Sequence, residues 1–315
     1  MADIQKCIIN STADNLPLSL IYAESDAPVG VLQCCHGMAE HKERYIPFIK
    51  FMADHGWHCC MHDMRGHGES ILAPEDLGYF YNDGKNACIE DLLTVNKHLH
   101  EKYTGLPVFL FGHSMGSLEV RSYFKKYPDT VSGLIVCGSP SPVGAVPLGK
   151  LLIKLLTLIK GDRHRSSLMN SMALGAYNKP FIEEGPSKNN WISVNRENVE
   201  KYDKDPGCGF TFTLNGFAAL MDLMSETYDS RGWNVPDPGV PVHFISGEDD
   251  PCRGSEKSFA KVLAAFKNAG YRNVSCKLYP GLRHELLNEK KAGTVMDDIL
   301  GILNGWLSVN MDGSN

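Results

Sequence analysis

Short apolar runs, most of them rich in β-branched residues, recur along the chain at 18–22, 29–35, 57–61, 107–111, 131–137, 240–246 and 274–279. Between most of them lie stretches with apolar residues at helical spacing: 43–54, 86–103, 115–126, 255–269 and 294–307. Runs without polar alternation suit strands buried on both faces, so this order predicts a mainly parallel sheet flanked by helices, an α/β architecture. Chemistry in such a sheet belongs on loops at the carboxyl ends of the strands. The alternation stops between about 140 and 235. That segment opens with Pro140-Ser141-Pro142, runs through the leucine-rich stretch 148–160, and closes with Pro236-Asp237-Pro238-Gly239. Prolines at both joints argue for an inserted unit. The expected organisation is a core of residues 1–139 and 236–315 carrying a helical cap, 140–235.

A chain of 315 residues with 43% hydrophobic content can bury a large core. Its net charge of −6 argues against nucleic acid as a partner, because phosphate contacts need a basic surface. Residues 1–7 hold no apolar signal core, and no apolar stretch approaches a bilayer span, so a soluble, cytoplasmic protein without a transmembrane segment is expected. The ten cysteines include the neighbours Cys34-Cys35 and Cys59-Cys60 but no Cys-x-x-Cys. Successive strand residues face opposite ways, so buried free thiols are expected. Neither His-Glu-x-x-His nor paired Cys/His spacing occurs, and no metal is expected.

One apolar run, Val108-Phe109-Leu110-Phe111, stops at Gly112-His113-Ser114-Met115-Gly116, and helical spacing follows. Gly-x-Ser-x-Gly alone is weak: with 30 glycines, roughly 0.2 chance matches are expected in such a chain. The strand before and the helix after are what give it meaning. They describe a sharp turn that lifts a serine oxygen clear of a sheet. A serine hydroxyl needs a general base, and the base needs an orienting carboxylate. The acidic loop Gly247-Glu248-Asp249-Asp250-Pro251 follows one late strand and His284 follows the last. The amide of Met115, first in the helix after the serine, is free to meet an oxyanion.

His36-Gly37-Met38-Ala39-Glu40-His41, Asp63-Met64-Arg65-Gly66-His67-Gly68-Glu69-Ser70, the Ser114 pentapeptide, Gly247–Pro251 and Pro280-Gly281-Leu282-Arg283-His284-Glu285 occur in this order. Together these blocks resemble the α/β-hydrolase superfamily, and within it the monoacylglycerol lipase and lysophospholipase group with its bacterial relatives. The resemblance covers nearly the whole chain. It implies the α/β-hydrolase fold, with Ser114 as nucleophile, His284 as general base and then acid, and Asp250, directly before Pro251, as the orienting carboxylate. It further implies that Met38 supplies the second oxyanion amide, that no cofactor is needed, and that the substrate is a small-molecule or lipid ester, a monoacylglycerol or lysophospholipid.

Several residues carry two readings. His36, His41, His67 and His113 are more simply structural hydrogen-bonding groups than bases. Arg65 and Glu69 read as turn stabilisers, and Cys252 as a buried small hydrophobe rather than a reactive thiol. The 148–160 stretch reads equally as a cap helix packed on the core, or as a lid that offers Leu152 and Leu155 to an acyl chain and makes transient contact with a membrane surface. Proline iminopeptidases, thioesterases and other small-ester hydrolases share the serine. A non-catalytic binding module on the same fold is the reading from a different class.

Overall fold

The computed structural model describes residues 2–312; Met1 and 313–315, at the outer ends of the expected core segments, lie outside the described residues. Eight strands form one sheet: β1 (Gln5–Asn10), β2 (Pro17–Ala23), β3 (Gly30–Cys35), β4 (Trp57–His62), β5 (Val108–His113), β6 (Leu134–Cys137), β7 (Val242–Gly247) and β8 (Val274–Tyr279). Their order is β1-β2-β4-β3-β5-β6-β7-β8. β1 and β2 run antiparallel and every pairing from β4 to β8 is parallel. The nine α-helices of the described residues are α1 (Ile46–Asp54), α2 (Gly84–Lys102), α3 (Met115–Lys126), α4 (Val146–Lys160), α5 (Ser167–Leu174), α6 (Arg196–Lys204), α7 (Leu214–Tyr228), α8 (Glu256–Ala269) and α9 (Ala292–Asp312).

The central strands β3, β4, β5 and β7 are buried at every position, which is why they read as unbroken apolar runs. α1 and α9 cover one face of the sheet, where Phe48, Ile49, Val295 and Ile299 pack on Cys34, Phe109 and Phe111. α2, α3, α7 and α8 cover the other, where Leu92, Leu118, Phe217 and Val262 pack with Cys35 and Leu110. Cys34 and Cys35 thus point to opposite faces, and all ten cysteines are free thiols, eight of them buried. The seven apolar runs correspond to β2 through β8. β1 has no counterpart among them, because this edge strand pairs on one side only and stays largely exposed, so Gln5, Lys6 and Asn10 suit it.

Between β6 and β7 the chain adds no strand to the sheet and instead makes α4 to α7. α7 returns onto the sheet domain through Thr227, which donates to Leu118 O at 3.0 Å, and through Phe217 and Leu223 in the shared core. No helix of the described residues is long and apolar enough to cross a membrane.

Candidate active site

The five sequence blocks meet at the carboxyl edge of the parallel strands. Ser114 stands between β5 and α3 with φ 53° and ψ −118°, a conformation that costs of order 1–3 kcal/mol and exposes the side chain at the top of the turn. The flanking glycines are what let the turn close. A Cβ on Gly116 would sit 2.3 Å from the carbonyl oxygen of His36, and one on Gly112 would sit 2.6 Å from that of Gly116.

Ser114 Oγ donates to Nε2 of His284 at 2.8 Å, and Nδ1 of His284 donates to Oδ2 of Asp250 at 2.9 Å. Asp250 is held from the other side: its Oδ1 accepts from the amide of Cys252 at 2.8 Å, and Ser246 Oγ donates to Oδ2 at 3.3 Å. Glu248 and Asp249, its competitors in the acidic loop, are exposed. The structure therefore brings Ser114, His284 and Asp250 into one hydrogen-bonded line. Burial of His284 opposes its charging, but the Asp250 charge and hydrogen bond outweigh it and raise the imidazole pKa above the usual histidine value. Only the neutral imidazole can take a proton from Ser114. On a short soluble ester, kcat/KM is accordingly expected to fall as pH drops through that raised value, with the acid limb above about pH 6.5. A limb at or below that pH would separate His284 from the rate.

Met38 and Met115 line the same cavity, and the amide of neither donates to an acceptor among the described residues. Such unpaired donors beside a nucleophile can receive a developing oxyanion. The loop bearing Met38 is held by two neutral histidines. His36 Nε2 accepts from Met64 N at 3.0 Å and His67 Nε2 accepts from Ala39 N at 3.1 Å. Burial pushes their pKa values down to about 4 and about 3. His113 also serves as a structural donor, with Nε2 to the backbone oxygen of His284 at 3.1 Å.

Arg65 is fully buried in a forked ion pair with Asp91 and a second pair with Asp14, while Glu69 accepts from Lys42 at 2.9 Å. Neither reaches the cavity. Cys252 lines it, but burial and the Asp250 charge push its thiol well up, which leaves little thiolate.

Sequence reasoning left Glu40 and Arg44 without a role. Glu40 Oε1 accepts from the Gly37 amide and from Tyr45 Oη at 2.9 Å, and Arg44 pairs with both Glu40 and Glu285. Their spacing of four residues, beginning three positions after Gly37, was the available signal.

The cavity above Ser114 has a volume of about 760 Å³. Leu118, Met169, Leu220 and Met224 give its wall an apolar character, and Trp191 stands beside His284, its ring 4.9 Å from the imidazole and 5.1 Å from that of Tyr177. Leu152 and Leu155 are not on its wall. Leu152 packs on the core, and Leu155 points outward, half exposed, in a row with Leu148, Leu151 and Leu158. α4 is apolar on nearly every side, and the turn that faces the cavity presents Val146 and Gly149 instead.

A mostly parallel eight-stranded sheet of this order, with a serine on a strained strand-to-helix turn, defines an α/β-hydrolase. The chain belongs to the family described as serine aminopeptidase, S33, whose model matches residues 26–291. It is 32% identical to phospholipase YtpA of Bacillus subtilis over 84% of this chain and 92% of that one. It is 26% identical to a monoacylglycerol lipase of Mycolicibacterium smegmatis over 89% of each chain. Among solved structures, a thermostable carboxyl esterase from Bacillus coagulans in complex with glycerol superposes with a TM-score of 0.87 at 26% identity, over 98% of this chain and 99% of that one.

Proposed function

We propose that this chain is a serine esterase of single-chain glycerolipids, monoacylglycerols or lysophospholipids, working through an acyl-enzyme on Ser114. The observation that carries the reading is the Ser114–His284–Asp250 line at the floor of a mainly apolar cavity with two unpaired amides beside it. Ser114 Oγ attacks the ester carbonyl as His284 Nε2 takes its proton, and the oxyanion is received by the Met38 and Met115 amides. His284 then gives the proton to the departing glycerol oxygen. Water attacks the acyl-enzyme with His284 again as base, and the fatty acid leaves. No cofactor enters. The phospholipase, lipase and esterase relatives support this substrate class.

Residues 140–235 are the proposed cap, and the exposed Leu148, Leu151, Leu155, Leu158 and Ile159 of α4 its proposed contact with a lipid surface. Free cysteines throughout suit a reducing compartment, and the cytoplasm is the proposed location.

The family's description raises a peptidase reading, which requires a carboxylate for the substrate amine. The cavity's two glutamates, Glu40 and Glu285, are both engaged by Arg44, and Glu184 by Arg283 and Arg196. A panel of p-nitrophenyl esters, monoacylglycerols, lysophosphatidylcholine and proline anilides tests the choice. The lipids are expected to be cleaved and the anilides not; preference for anilides would overturn the esterase reading. Gly149→Leu should extend from the α4 wall toward Met221, because a Cβ there would already meet Met221 Sδ at 3.4 Å. Long-chain kcat/KM is expected to fall about tenfold with butyrate hydrolysis nearly unchanged. Equal loss on both chain lengths would remove α4 from the acyl path.

A further inference from the structure

The loop that carries Met38 continues to His41, and the chain returns to it from the far side at 205–209. Nε2 of His41 lies 2.9 Å from Oδ2 of Asp205, and one ligand atom each from His41, Asp205 and Cys208 all fall within 4.8 Å of one another. Two details aim these groups at a common point. Nδ1 of His41 donates to Oε2 of Glu43 at 2.8 Å, which fixes the ring and turns Nε2 toward the other two. Oδ1 of Asp205 accepts from the Gly207 amide at 2.8 Å, which leaves Oδ2 facing His41. A Cβ on Gly207 would meet Cδ2 of His41 at 3.0 Å, so the 205–208 turn packs directly on the imidazole. None of the three ligands lines the cavity, and the proposed ester chemistry uses none of them.

We propose that His41, Asp205 and Cys208 form a tetrahedral site for a divalent transition metal, zinc by ligand type, that clips the 205–208 turn to the loop bearing Met38. One imidazole nitrogen, one carboxylate oxygen and one thiolate are ligands that zinc takes together, with water in the fourth position. Metal–ligand bonds of about 2.0–2.3 Å place such ligand atoms roughly 3.4–3.6 Å apart. On binding, Asp205 Oδ2 would draw back from His41 by about half an ångström, and Cys208 Sγ would settle at the same spacing. Bonds form from the metal to Nε2, Oδ2 and Sγ, the Nε2 and thiol protons leave to solvent, and nothing is oxidised or reduced. Nδ1 keeps its proton and goes on donating it to Glu43, as a metal-bound histidine does to the carboxylate behind it.

The clip would brace a seam that two bonds already hold: Gly209 N donates to Ala39 O at 2.9 Å, and Tyr202 Oη donates to the same oxygen at 3.0 Å. Ala39 has φ 51° and directly follows Met38. His41 and Asp205 are 164 positions apart, so no short sequence motif could display the site.

Asp250, Cys252 and His284 also bring ligand atoms within 4.8 Å of one another, and the test must separate the two clusters. Metal-free full-length protein in a non-chelating reductant is titrated with Co²⁺ and then Zn²⁺, following the sulfur-to-cobalt charge-transfer absorption and the Tm. One Co²⁺ per chain, with a charge-transfer band and a higher Tm, is expected for the parent and for Cys252→Ala. Cys208→Ser should lose the band, and Asp205→Asn, a substitution at a partly exposed position, should bind at least about tenfold more weakly. Glu43→Gln should keep the band with affinity lowered about 10–100-fold. No band in the parent, a band that survives Cys208→Ser, or one lost in Cys252→Ala would overturn the proposal. Because the readout is metal binding and not hydrolysis, its failure leaves the esterase reading standing.

Discussion

Asp250→Asn is expected to lower kcat on a soluble p-nitrophenyl ester by about 10⁴-fold with KM little changed, because an asparagine there presents either an amide donor or a neutral oxygen to Nδ1 of His284. In the first case the imidazole must carry its proton on Nε2, where it can no longer accept from Ser114. In the second the imidazolium formed during attack loses its compensating charge. The residual activity carries a second signature. The Asp250 charge is the largest influence lifting the His284 pKa against burial, so its removal leaves burial opposed only by the lesser pull of the Glu285 and Glu40 charges and moves the acid limb of kcat/KM to lower pH. Asp249→Asn should change neither quantity, since that carboxylate is exposed and its neighbour already occupies the bond to His284. Fluorophosphonate labelling of Ser114 should slow in parallel with kcat in the first variant and stay at the parent rate in the second. Comparable losses in both would return the acid's identity to the acidic loop as a whole.

The sheet was legible because its inner strands are buried on both faces, which forces apolar runs long enough to recognise. β1 escaped for the converse physical reason: half its backbone and most of its side chains face water, so its sequence resembles a loop. The proposed site residues were readable because strand ends and tight turns constrain local sequence strongly. Gly112 and Gly116 are fixed by carbonyl groups that leave no room for a Cβ, and that constraint is visible in five residues. The cavity wall obeys no such rule. It is assembled from α3, α5, α7 and the 177–192 segment, and which side of α4 joins them depends on a helix rotation that a helix apolar outside one narrow stripe, Lys150, Lys154 and Thr157, does not specify. Hence Leu152 and Leu155 were plausible from sequence and the structure presents Val146 and Gly149. The group around Glu40 was hidden for a third reason. Its partners come from positions 37, 44, 45 and 113, with Glu285 on the far side of Arg44, and only tertiary contact brings His113 and Glu285 to the group.

Glu40→Gln is expected to lower kcat about 10²-fold, the scale of one lost oxyanion donor, while leaving KM within a few-fold. The buried carboxylate accepts from the Gly37 amide and Tyr45 on one oxygen and from Arg44 on the other. A glutamine of the same shape has only one acceptor. Whichever way its amide is turned, an N–H group faces either the Gly37 amide or the Arg44 guanidinium, and one buried donor loses its partner. The charge-assisted bond is the stronger and an NH2 is repelled by a guanidinium, so the glutamine oxygen turns to Arg44, the Gly37 end is where the tether gives way, and Met38 is the next residue in that loop. Breaking a buried ion pair costs about 3–5 kcal/mol when the surviving charge is stranded; here Glu285 retains Arg44, so the fall in Tm should be smaller than that cost implies. The same carboxylate lies 3.2 Å from Nδ1 of His113, whose Nε2 holds the backbone of His284, so the proposed general base should loosen together with the loop bearing Met38. Steady-state kinetics, the melting curve and the fluorophosphonate rate measured on one preparation check the chain of consequences. A folded Glu40→Gln protein with kcat within about threefold of the parent would show that the Gly37 tether does not position the oxyanion donor.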